Sequence, residues 1–548
     1  MKLFNKIKFA LVNKPWIILG IIILLGLLLR TLNLKDNVIF AYDQARDAQR
    51  IMEMVNNHDL KLVGPETDIP GIFNGILFYL VLLPVYALTH FDPNAASLFL
   101  VVINLIMIPL LYYFSLILFK NKYVGYIAGF LWAVSFEQIN FAKYISNASL
   151  MPLSTTVFFF GLAIYLFQKK EWGFILSIVG LATSIHFNFY LVYLFIFYPI
   201  FFLIYRPQVK LKTFAVSAFL LVLILSPFAI AEIRWHFPAI KGLAKYFIER
   251  TKGTEELDLF IVVKKYYERI AEMNYFSFFS FQRDIGTVLI YTLSFFALSK
   301  LKNNIKIFAA LCIFSTLPLF FFNSGVLTVP VINSSIFFII TLTVASGIYL
   351  VGAKNKIFLF VLLGLVFFSN FLLFKKDGFK INTLFASHPL TNGLEKKAID
   401  YMYQSSNKSF SFCSVSNPLF FNTIWSFMFK TYGERKYGYL PVWTGQKQDM
   451  NMNYLKEDTK YLANRYLLIE PLVGIPRFAK TITIYLEDKY SSLLTEKNFG
   501  QFVVQKRLRY PAQNTLFTDT QNLASGEVNS IKSVTEGVKE PRYYCYTD

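Results

Sequence analysis

Four clusters of ionisable side chains could do chemistry, and each stands just beyond an apolar run. The first is Tyr42-Asp43-Gln44-Ala45-Arg46-Asp47-Ala48-Gln49-Arg50. Helical spacing puts Asp43, Asp47 and Arg50 on one face with Arg46 beside them. That pattern suits a general base next to cations that face a charged substrate; a solvated helical turn is the plainer alternative. The second cluster, in the stretch 136–149, holds Glu137, Lys143 and Asn147, polar groups that are costly at the mouth of apolar spans unless they face a cavity. Lys143 could hold a phosphate or snorkel to a lipid interface. His186 stands alone where two short apolar runs must turn, a candidate cavity-lining group or a structural hydrogen bond between spans. In the fourth cluster Glu232, Arg234 and His236 alternate directly after an apolar run. His58, His90, His236 and His388 show no metal-ligand spacing, so no histidine metal site is expected; no cofactor is expected, with a divalent cation the alternative.

The elements that must position these groups are membrane helices. Of 548 residues, 55% are hydrophobic and 16% charged, against about 25% charged in soluble domains. Long, uncharged apolar runs such as Ile17 to Leu29 and Ile357 to Leu373 exclude a soluble globular enzyme. The net charge of +20, from 54 Lys and Arg against 34 Asp and Glu, sits largely in short clusters between those runs, where it sets orientation and meets anionic lipid. No basic-aromatic nucleic-acid motif accompanies it, so no nucleic-acid partner is expected. Cys312, Cys413 and Cys545 lack metal-ligand spacing; free thiols are the expectation, with a Cys413–Cys545 bridge the alternative.

Eleven apolar runs read as crossings, starting from a retained signal anchor with a basic, cytoplasmic N-terminus. The segment 72–88 is the branch point. If it lies along the interface, the clusters Lys120/Lys122, Lys169/Lys170, Arg206/Lys210/Lys212, Lys300/Lys302/Lys306 and Lys354/Lys356 all fall in the cytoplasm; if it crosses, they land on the wrong side. The reading is therefore an α-helical polytopic protein of the cell membrane. It comprises a transmembrane domain over 1–374, with outer loops 33–96 and 232–283, and an extracytoplasmic soluble α/β domain over 375–548. Strand-like stretches in that domain are 466–469, 481–485 and 502–504, and Leu394 to Met402 is helical. All four clusters then meet the outer face.

The Tyr-Asp-Gln-Ala-Arg-Asp-Ala stretch at 42–48, the Gly-Pro step at 64–65, the Lys-Tyr-Ile-Ser-Asn-Ala-Ser-Leu-Met-Pro stretch at 143–152, His186 and the Pro-Phe-Ala-Ile-Ala-Glu-Ile-Arg stretch at 227–234 resemble the GT-C glycosyltransferases. The nearest group is glycosyltransferase family 39, which includes protein mannosyltransferases and lipid A aminoarabinose transferases. The resemblance covers about residues 10–375. It implies a GT-C fold and inverting transfer of a sugar from a polyprenyl-phosphate donor to a protein, lipid or glycan acceptor on the outer face. Under it Asp43 is the base, with Asp47 or Glu232 as further acids; Lys143, Arg234 and, in reserve, Arg46 receive the phosphate; His186, Asn147 and Glu137 line the cavity. The chain departs from the pattern at Gln44, where many relatives carry a second acid, and at Asn147, where many carry Asp.

Two other classes fit the same composition. A transporter or flippase of lipid-linked sugars would also place polar groups among many spans, but no inverted repeat is visible. A surface-polysaccharide polymerase or ligase would share the donor and take a glycan acceptor. In the C-terminal domain the aromatic stretch 437–445 could stack on sugar, or serve as core.

Overall fold

The computed structural model describes residues 14–252, 259–321, 335–376, 390–406, 409–419, 421–444, 454–457, 462–471 and 477–510. In chain order the helices used below are α1 (Pro15–Thr31), α2 (Tyr42–Asn57), α3 (Leu77–Leu88), α4 (Pro93–Leu105), α5 (Met107–Leu118), α6 (Lys122–Val134), α7 (Phe136–Lys143), α8 (Met151–Gln168), α9 (Glu171–Phe187), α10 (Phe197–Tyr205), α11 (Leu211–Arg234), α12 (Pro238–Lys252), α13 (Leu259–Ser277), α14 (Arg283–Ser299), α15 (Asn303–Ile313), α16 (Phe337–Gly352), α17 (Lys356–Lys376), α18 (Asn392–Gln404), α19 (Thr423–Met428) and α20 (Arg477–Tyr490). The strands are β1 (Val63–Glu66), β2 (Phe73–Gly75), β3 (Ser411–Val415), β4 (Val442–Trp443), β5 (Lys456–Glu457), β6 (Asn464–Ile469), β7 (Ser491–Phe499) and β8 (Phe502–Arg509). The chain divides into two compact units: one gathers Lys35–Glu53, Tyr86–Asn94 and everything from Ala386, and the other holds the rest.

The larger unit is helical. Among the described residues five helices are long and apolar enough to cross a bilayer, and five more apolar helices are shorter. Nine of these ten, with α6 and α14, coincide with the eleven expected crossings; of the expected crossing at 326–352, residues 326–334 lie outside the described residues. The tenth is α3. The segment 72–88 begins as strand β2 and leaves only 12 helical residues, about 18 Å of rise against a hydrocarbon core of roughly 30 Å. Helices α8 and α9 form the closest pair: a Cβ on Gly161 would stand 2.5 Å from the Ser177 backbone nitrogen and one on Gly180 2.4 Å from that of Phe158. Small residues let membrane helices approach where no hydrophobic force between helices exists. Polar stitches hold the rest. Asn370 of α17 accepts from the Phe136 backbone N–H (2.7 Å) and donates to the Ser277 carbonyl (3.1 Å), tying α17 to α7 and α13.

The smaller unit is built on a six-stranded sheet in the order β5-β4-β3-β6-β8-β7. β5, β4, β3 and β6 run parallel, and β8 and β7 continue antiparallel. β3 is buried along its whole length, as a parallel strand covered on both faces must be. The stretches at 466–469 and 502–504 are strands, and Leu394–Met402 lies in α18. The stretch 481–485 is helical instead, within α20. Its alternating β-branched residues look like a strand, but helical spacing sets Thr483 and Glu487 on one inner face. There the Glu487 carboxylate accepts from the Arg465 guanidinium at 2.6–3.1 Å, a buried pair extended by Arg507 through Ser491. Tertiary pairing outweighs local propensity. Finally, Cys413, in the middle of β3, is disulfide-bonded rather than a free thiol, whereas Cys312 is free and buried. The aromatic stretch from Tyr437 packs within the fold: its ring stacks on Tyr403 at 4.3 Å, and its hydroxyl donates to Asp400.

Candidate functional site

The first-loop cluster belongs to the smaller unit. The residues before it run as an extended segment that bridges Ile39 to Thr391, with Phe40 N–H donating to the Leu390 carbonyl and Asn392 N–H to the Val38 carbonyl. Helix α2 then starts at Tyr42, and the Gln44 side chain reaches back to accept from the Ala41 N–H at 3.1 Å. This is half of a capping box. Gln44 thus has a structural task at the place where many relatives of the resembled family carry an acid.

On the first turn of α2 the Arg46 guanidinium donates to Asp43 at 2.8 Å and to Asp47 at 3.0 Å. Arg46 is therefore engaged by two carboxylates. Asp43 is the outward-facing one, with its side chain 62% exposed, and Asp47 is buried. Arg50, expected beside Asp47, pairs with Glu53 instead.

In the helical unit Lys143 ends the buried helix α7. Ser135 caps the start of α7 by accepting from the Gln138 N–H, and Ser97 Oγ donates to the Lys143 carbonyl at 2.8 Å. The Lys143 side chain is 3% exposed and has no carboxylate or hydrogen-bond partner among the described residues. Burial lowers its pKa to about 8, and the charge of Arg30 adds to the lowering. Arg30, the last charged residue of α1, is fully buried. It donates to the carbonyls of Trp132 (3.1 Å) and Ala133 (2.9 Å) at the end of α6, and to Asn104 Oδ1 (3.1 Å). Two cations thus lie close together in the interior, with no carboxylate on either among the described residues. Arg30 stands directly after the apolar run Ile17 to Leu29, and a charge at the end of a span was the signal that could have found it. Glu137, also on α7, accepts from Ser277 Oγ at 2.8 Å through one oxygen, and its other oxygen is buried without a partner.

A third group gathers around the β1–β2 hairpin. His186 ends α9 and hydrogen-bonds the Ile224 carbonyl of α11 at 2.6 Å through Nε2, with its ring 4.9 Å from that of Phe228. Pro227 interrupts the α11 ladder there, and Ser226 Oγ covers the Leu223 carbonyl. Gly75 of β2 lies so close to His186 that a Cβ would overlap the imidazole, so only glycine fits. Asn147 donates to the Phe187 carbonyl at 2.6 Å and so closes the end of α9. At the end of α11, Glu232 accepts from the Ala239 N–H at 3.0 Å, capping α12, and its second oxygen is buried without a partner. Arg234 is exposed and unpaired among the described residues. The hairpin also packs on this end, with Phe73 and Trp235 rings 5.8 Å apart.

The expected site residues therefore fall into three groups: Asp43, Arg46 and Asp47 in the α/β unit; Glu137 and Lys143 on α7; and Asn147, His186, Glu232 and Arg234 around the hairpin. Glu232 and Asn147 carry helix-end bonds, and His186 a bond between spans. No cluster of three or more His, Cys, Asp or Glu side chains able to hold a metal is present among the described residues.

No protein-family model matches the chain, and none of the curated proteins matches it in sequence. Solved structures do match. ArnT from Cupriavidus metallidurans, crystallised bound to undecaprenyl phosphate, superposes with a TM-score of 0.57 over 90% of this chain and 98% of that one. The chain shares the fold of that protein. Sequence identity across that superposition is 10%, so the likeness is one of fold alone.

Proposed function

We propose that this protein is a membrane glycosyltransferase that moves a sugar from a polyprenyl-phosphate donor to an acceptor on the extracytoplasmic face. The observation that carries the reading is Lys143: a buried lysine that no carboxylate pairs with among the described residues, beside a second buried cation. Burying a charge unpaired is costly, and a phosphate supplied by a ligand would offset that cost. The likeness of fold to a protein crystallised with undecaprenyl phosphate favours the same ligand chemistry.

In this reading the exposed carboxylate of Asp43 takes the proton of the acceptor hydroxyl, and Arg46 holds its orientation. The hydroxyl oxygen attacks the anomeric carbon from the face opposite the phosphate, so the configuration inverts. The bond from that carbon to the phosphate oxygen breaks, and its electron pair leaves on the phosphate, where the Lys143 ammonium neutralises it. Arg234, exposed at the end of α11, is a second cation for the donor. A disulfide at Cys413 fits an oxidising compartment and so an extracytoplasmic α/β unit.

The test is turnover of labelled polyprenyl-phosphate sugars by the purified protein in lipid, with membrane extract as acceptor. Asp43→Asn should lose transfer by about 10²-fold or more while leaving the fold intact. Full activity of that variant would remove Asp43 from the mechanism. A wild type that turns over no donor would remove the reading itself.

A further inference from the structure

The acid assigned as base belongs to the same compact unit as the six-stranded sheet. Val38, Ile39 and Phe40 are at most 1% exposed, and their backbone pairs with residues 390–392 at the entry to α18. The Phe40 ring lies 5.3 Å from that of Phe427 in α19, and the Tyr42 ring 5.4 Å from that of Phe421. Asp43 follows directly. Gly393 allows the approach from the other side, since a Cβ there would stand 2.6 Å from the Asp36 Cα. These contacts hold the chain at residues 36, 38, 39, 40 and 42, directly before Asp43, as a supporting shell must hold a group that needs a fixed geometry.

We propose that the α/β unit is the positioning element of the first-loop carboxylate, with Phe421 and Gly393 as positioning residues that act through Tyr42 and the 36–40 segment. The proposal rests on the transfer reading for its catalytic consequence. Neither residue touches substrate. Both set where the Asp43 carboxylate stands, and a displacement on the order of 1 Å from a reacting group costs up to about 10²-fold in rate.

The experiment uses the full chain in lipid and two readouts. Hydrogen exchange followed by mass spectrometry reports fixation of residues 38–48; steady-state kinetics with labelled polyprenyl-phosphate sugar reports catalysis. Phe421→Leu, which removes the ring contact, and Gly393→Ala, which wedges the 36–40 segment, should each speed exchange of those amides about tenfold or more. Each should lower kcat about tenfold with the donor KM unchanged. Phe421→Tyr, which keeps the ring, should restore both. Unchanged exchange of 38–48 in both variants overturns the anchoring, and faster exchange with unchanged kcat overturns its link to catalysis. A wild type without turnover on any donor overturns the transfer reading instead, and the exchange result still decides the anchoring.

Discussion

Replacing Lys143 with Met should stabilise the protein and disable it together. The side chains are of similar length, so packing around α7 is retained while the unpaired charge is removed. Burial and Arg30 bring the lysine from its ordinary 10.5 to about 8. At 1.36 kcal/mol per unit the folded state carries a penalty of roughly 3 kcal/mol for keeping the group protonated. Below pH 8 both the folded and unfolded chains hold the proton and the penalty is present in full. Between about pH 8 and 10.5 the folded chain releases its proton first, stability rises with pH, and the penalty is gone above that window. Thermal melts in lipid should therefore put Lys143→Met above wild type at pH 7, with the gap closing by pH 10. Transfer should fall by about 10²-fold or more, the usual loss when a charge-stabilising donor is removed. Polyprenyl phosphate, added alone, should raise the wild-type midpoint and leave the variant's unchanged. A variant that melts below wild type at pH 7, or one that retains transfer, would refute the argument that Lys143 is held unpaired for a phosphate.

Two further outcomes test the architecture. Glu470 accepts from the Trp425 Nε1–H (2.7 Å) and the Asn417 N–H (2.8 Å) in the α/β unit, yet burial pushes its carboxyl up to about 7. The protonated folded form then contributes stability below about pH 4.5 that is lost as pH rises to 7, roughly 3 kcal/mol at 1.36 kcal/mol per unit. Melts should show the unit weakening over that window, and Glu470→Gln should flatten the slope, leaving a residue of the same sign from the buried Glu395, which burial also raises; a slope unaltered by Glu470→Gln would contradict this. Gly75→Ala should cost about 1–3 kcal/mol by forcing a methyl into His186, whereas Gly364→Ala on α17, with nothing within 4 Å, should be neutral or mildly stabilising in the same melts.

Much of the membrane architecture was legible because hydropathy and helix length are one-dimensional. A run such as 357–373 is a helix wherever it goes, since its backbone must hydrogen-bond within itself in lipid, and the chain forms Lys356–Lys376 there. The reading of 72–88 as interfacial rested on charge alone; α3 there has 12 helical residues against the 13 of α6, so helix length does not separate the two. Amphipathic spacing around Asp43 marked a helix, and the chain forms one from Tyr42.

Pairing was not legible, because it depends on which distant segment arrives. Arg46 looked like a spare cation and is spoken for by two carboxylates one turn apart, while Lys143 looked like a lipid anchor as much as a ligand and is buried with no carboxylate partner among the described residues. Helix α20 read as a strand because the energy of Glu487 against Arg465, 22 residues away in sequence, appears in no local propensity. The attachment of residues 35–53 to the α/β unit across some 340 residues of chain was likewise decided only by the tertiary structure. Composition determines that a segment must be buried or must span; only the closing of long loops, paid in chain entropy and returned in contacts between remote residues, determines what it meets.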